Sequence, residues 1–171
     1  MSHTNIDNIT ALFTHPHIPR NVEVPHFESI QSIHMLLNQN TTGVLCSAYG
    51  NTLGMLGLTL IAASYQTLAG TDFNLPTQPP PSVIPSFASN VQVTEIMRVY
   101  ENATRIFNKY VARAKSLKNQ LLGACDNDYF LSIYNQATQY EESTVLQLLQ
   151  HLYTNYGYLR YTQLTFNSDK F

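Results

Sequence analysis

SLKNQLLGACDNDYFLSIYNQATQYEESTVLQLLQHLYTNYG, residues 116–157, reads as three helical pieces with no catalytic signature. Its last piece is the best specified. Ser143 or Thr144 supplies an N-cap, and Thr144 with Gln147 has the spacing of a capping box, in which two side chains satisfy two otherwise unpaired amides. Val145, Leu148, Leu149, Leu152 and Tyr156 then recur at helical spacing, and Gly157 stands at the stop. Upstream, Asp126, Asn127 and Asp128 end the preceding helix and offer caps for another over 129–137. Residues of this kind pack. They make a small helical surface rather than a pocket of reactive groups.

Working back from there, Ile96, Val99, Ala103, Ile106, Tyr110, Ala114, Leu117 and Leu121 follow a near-heptad rhythm. The rhythm predicts a long amphipathic stretch from residue 90, either one bent helix or two with a break near Arg113. Before it, residues 72–85 (DFNLPTQPPPSVIP) hold five prolines. Proline lacks an amide hydrogen and clashes with the preceding turn, so helix is excluded and the backbone is extended. Residues 58–68 suit a short helix closed by Gly70. Residues 27–38 set Phe27, Ile30, Ile33, His34 and Leu37 on one stripe, with His34 read as a core-edge histidine. The resulting expectation is a mostly α, two-lobed helical protein. Its parts are an extended arm over 1–26, an N-terminal lobe over 27–71, a Pro-rich linker over 72–89, a C-terminal lobe over 90–157, and a tail over 158–171.

Composition narrows the function classes. The 171 residues are 44% apolar and only 12% charged, which is a folding composition with weak self-repulsion. Net charge is −2, against the clustered cations that phosphate binding requires. The best basic stripe is Arg105, Lys109 and Arg113, near Lys115 and Lys118; it reads as a solvated helix face or a weak RNA contact. Gly43, Gly50, Gly54 and Gly57 do not match a phosphate-binding loop. Cys46 and Cys125 have no ligand-spaced partners, and residues 1–10 lack a signal-peptide core, so free thiols in the cytoplasm are expected. The apolar run 53–63 is too short to span a bilayer, which takes about 20 residues. Adjacent Glu141 and Glu142, and Asp126 with Asp128, are cap carboxylates rather than a convergent acid–base pair. His15, His17 and His26 lack carboxylate support for a metal. No enzyme, cofactor or metal is expected.

These segments together resemble the Gag-like capsid protein of copia-type long-terminal-repeat retroelements, particularly the group abundant in diatoms and other microbial eukaryotes. Residues 27–34 (FESIQSIH) are similar to that family's opening helix, and 54–60 (GMLGLTL) to its G-H-L-G-L-x-L run. FNLP at 73–76 followed by PPPSVIP at 79–85 is similar to its F-x-x-P…P-x-P…I-P linker. LKNQLL at 117–122 with Asp126 and Tyr129 resembles L-K-N-Q-L-L…D-x-x-Y, and 144–157 resembles T-x-x-x-x-L-x-x-L-Y-x-x-Y-G. The chain departs from the family pattern at Tyr49-Gly50-Asn51, at Leu53 and at Asn127, and no zinc knuckle follows. The resemblance implies a capsid portion that self-assembles into a virus-like shell, with RNA held weakly and mainly by a region outside this sequence. Tyr129, Phe130, Tyr134, Gln147, Gln150 and Tyr153 are the expected self-association residues. A domesticated copy serving as an adaptor for a protein partner is the alternative.

Overall fold

A computed structural model describes residues 18–42 and 51–157. The expectations for the arm before residue 18, for Gly43, Cys46 and Gly50, and for the tail lie outside them. The fold is mostly helical, as the periodicity predicts. Among the described residues the order is α1 (Phe27–Thr42), a 3₁₀ turn (Leu56–Leu58), α2 (Ala62–Ala69), α3 (Asn90–Ala124), a 3₁₀ helix (Asn127–Ile133) and α4 (Val145–Tyr156).

One core organises these pieces. Ile30, Ile33 and Leu37 of α1 meet Leu117, Leu121 and Ala124 at the end of α3, Phe130 of the second 3₁₀ helix, and Val145, Leu148, Leu149 and Leu152 of α4. Segments 27–71 and 90–157 therefore contribute to a single buried cluster. Ile18 joins it, and the Asn21 amide donates to the Ala124 carbonyl at 2.7 Å, so this end of the arm lies along the α3 terminus. Asn40 donates to Gln120 at 2.8 Å, a polar tie between α1 and α3 beside the apolar one.

α3 is one uninterrupted helix of 35 residues, about 50 Å long at 1.5 Å per residue, without the break considered near Arg113. Its start is fixed by a capping box of Ser89 and Gln92. Burial is confined to its last third, at Ala112, Ser116, Leu117, Leu121 and Ala124; no residue over 90–111 is buried. The heptad stripe thus runs on past the core that uses it.

The helix expected over 129–137 is not formed. A 3₁₀ helix ends at Ile133, and the Asn135 side chain accepts the amides of Ala137 and Thr138. That local alternative to helical bonding closes a tight turn, with a bridge between Asn135 and Gln139 and Gln139 at φ 55°. The start of α2 also differs: Thr59 and Leu60 turn and Ile61 is extended, so the helix begins at Ala62 and ends at Ala69, capped by Gly70, whose φ of 72° suits glycine. The apolar run 53–63 is only partly core. Met55 and Leu56 are buried, whereas Ile61 is exposed.

Residues 71–89 contain no helix, as the prolines require. They are anchored at their start. Asn51 and Asn74 exchange two hydrogen bonds of 2.9 and 3.0 Å, and the Phe73 ring packs edge-on against buried Tyr65 at 5.2 Å. Phe73 reaches that position across Gly57, where a Cβ would lie 2.1 Å from its Cγ.

Candidate functional site

The surface formed by the second 3₁₀ helix and α4 divides the expected contact residues into two groups. Phe130 is fully buried, so it is a core residue and cannot meet a second molecule. Its place follows from the 3₁₀ geometry, which turns it inward against Tyr140 and His151. Tyr153 is half-buried and used within the chain: its hydroxyl bonds His34 and its ring packs against Phe27 and His34. Tyr129 is also partly covered, edge-on to Tyr156. Tyr134, Gln147 and Gln150 are exposed. Gln147 completes the Thr144 capping box, with bonds of 2.8 and 3.2 Å. Leu131, which sequence spacing did not single out, is 59% exposed on the second 3₁₀ helix.

His34 ties three elements together. Its Nε2–H donates to the Thr59 carbonyl at 2.9 Å, and in the neutral imidazole Nδ1 then accepts from the Tyr153 hydroxyl at 3.2 Å. Burial holds its pKa below the ordinary 6.5, partly opposed by the Thr59 bond. A depressed histidine pKa gives stability that is complete above the unfolded value and lost as pH falls below about 6.5. The melting temperature is therefore expected to fall between pH 7.5 and 5.5. In His34→Gln, thermal scans should lose this part of the dependence.

Cys125 caps α3 as a buried free thiol, and its surroundings push its pKa up to about 11. The thiolate is the reactive form. In the native protein at pH 8, Cys125 is expected to resist iodoacetamide and to be labelled only in denaturant, as read by peptide mass spectrometry.

The basic stripe is only partly presented to solvent. Arg105 and Lys109 are exposed, Arg105 bonding Asn102 at 2.7 Å, while Arg113 is half-buried. Lys118 turns inward to donate to the carbonyls of Tyr140 and Glu141. Beside it lies a half-open cavity of about 290 Å³ bordered by Leu58, Tyr110, Ala114, Lys118 and Val145. Among the described residues, no group of three or more His, Cys, Asp or Glu side chains is arranged to hold a metal ion. None of their helices is long and apolar enough to cross a membrane.

A second exposed surface is the first part of α3 and the approach to it, where Ser82 bonds the Met97 sulfur at 3.5 Å. Phe87 is wholly exposed, Val91 is 79% and Val99 55% exposed. Pro85, Phe87, Ala88, Gln92, Glu95 and Ile96 line an open groove of about 420 Å³. The near-heptad stripe was the signal for this face, but a stripe does not say whether its cover comes from the same chain. No protein-family model matches the sequence, and no curated protein or solved structure is similar to it.

Proposed function

We propose that this chain is a structural protein that functions by self-association, as the capsid portion of a retroelement Gag, building a shell around RNA. The observation that carries the reading is the first part of α3. A helix whose residues 90–111 hold an apolar stripe outside the core, exposed at Val99 and half-buried at Ile96, Ala103 and Ile106, presents surface suited to another molecule. The low charged fraction supports association of like chains. Leu131, Tyr134 and Gln150 are exposed as well, outside α3, and a shell needs more than one weak contact type. The ordered series of motifs from residue 27 to 157 supports the capsid class in particular. RNA contact through Arg105 and Lys109, with Arg113 beside them, belongs to the same proposal and is a minor, salt-sensitive term.

Negative-stain microscopy over rising protein and salt concentration tests this. Closed shells, tubes or sheets are the expected result. Particles of single-chain size at every concentration would remove the capsid reading and favour the adaptor, for which the groove at Phe87 and Ile96 is the natural peptide site.

A further inference from the structure

Along the part of α3 outside the core, Ile96, Val99, Ala103 and Ile106 keep the 3–4–3 spacing of a two-helix seam, with Val99 exposed and the other three half-buried. Glu95, Asn102 and Lys109 then flank the seam on one side, and Val93, Tyr100 and Phe107 on the other. The geometry points to a two-fold, antiparallel pairing of this half of α3 with the same half of a second copy, Ile96 facing the partner's Ile106 and Glu95 facing the partner's Lys109. The inference rests on the self-association reading above and assigns its contact.

The orientation follows from which residues face which. In an antiparallel pair the seam positions meet in reverse order, so Ile96 opposes the partner's Ile106 and Val99 the partner's Ala103. The two-fold repeats both layers, giving four apolar layers with no polar residue among them. The same-side flanking residues also face each other. Glu95 therefore meets the partner's Lys109 twice per dimer, and Asn102 meets its own copy on the axis. A parallel pair instead sets Glu95 beside the partner's Tyr100 and Lys109 beside the partner's Ala114, and the charge match is lost.

The groups concerned are free to do this. Lys109 is exposed and enters no ion pair among the described residues. Glu95 is paired with Arg98 on its own helix at 2.7 Å, but both side chains are more than half exposed. A carboxylate has about four acceptor sites, of which Arg98 occupies two. The groove at Gln92, Glu95 and Ile96 continues the seam at its N-terminal end, where the partner's Tyr110 would arrive. The match of the stripe and its flanking charges to themselves favours a second copy over an unrelated protein.

The test is sedimentation velocity on the full chain, comparing wild type with Glu95→Lys, Lys109→Glu and the double variant. Each single change creates two like-charge contacts per dimer and is expected to weaken association about tenfold. The double variant restores opposite charges and should return to within about threefold of wild type. Val99→Asp, at an exposed seam position, should abolish the dimer with an unchanged circular dichroism spectrum. Single variants that lose association without recovery in the double would overturn this register. Wild-type association that ignores all these changes would also overturn it, while leaving self-association itself intact. A wild type that stays monomeric would remove the pairing and the capsid reading together.

Discussion

Leu149→Asp or Leu152→Asp is expected to unfold the protein rather than merely loosen its last helix. Both leucines are buried at the centre of the core, on the α4 face that meets α1, the end of α3 and Phe130. Losing a buried leucine costs about 2–5 kcal/mol, including the cavity left behind. An unpaired carboxylate placed there adds several kcal/mol more or forces its own protonation. The sum is of the same order as the whole stability of a domain, about 5–15 kcal/mol. Because the core is shared, the damage reaches α1 and α3 as well. Circular dichroism should lose signal from more than one helix, and chemical denaturation should begin without denaturant. Gln150→Asp, on the exposed face between them, should leave both unchanged. Retained helicity and unchanged melting in the two leucine variants would mean that α4 is phased wrongly.

Gly57→Ala is expected to have the next largest effect, although it adds a single methyl group. The new Cβ would fall 2.1 Å from Phe73 Cγ and 2.6 Å from Phe73 Cβ, at the root of the side chain rather than its mobile tip. Rotation of the ring alone does not relieve such a clash. Phe73 must leave its contact with Tyr65, or the 3₁₀ turn must shift away from Thr59, which bonds both His34 and Asn38. Overpacking of this kind costs about 1–3 kcal/mol. A double-mutant cycle identifies the cause. Once Phe73→Ala has removed the ring, adding Gly57→Ala should cost little further stability. An equal penalty in both backgrounds would place the strain elsewhere.

Much of this fold was legible in the sequence because its signals are local. The Thr144 capping box and the leucines behind it define α4, the prolines keep 71–89 out of helix, and Gly70 marks the end of α2. The misreading over 129–137 has a local cause too. Asn135 competes for the amides that a helix would need, and an asparagine two and three residues before its targets outweighs helix spacing there. The S-x-x-Q box at Ser89 is a local signal of the same kind, at the start of α3.

What periodicity cannot supply is the identity of the covering surface. Leu121 and Val99 sit on the same stripe, yet one is buried by α1 and α4 while the other faces solvent. Phe130 shows the converse, since an aromatic beside a loop reads as surface until the 3₁₀ turn carries it inward. Which apolar residues reach the surface therefore depends on tertiary structure: Val99 in the first half of α3 does, and Phe130 near α4 does not.

The chain's function turns on whether it associates with itself. Light scattering coupled to size exclusion, run on the wild-type protein over a hundredfold range of concentration, measures this most directly. The expected result is a weight-average mass that climbs from one chain to two and then to larger species as concentration rises. A mass fixed at a single chain across the whole range would contradict it.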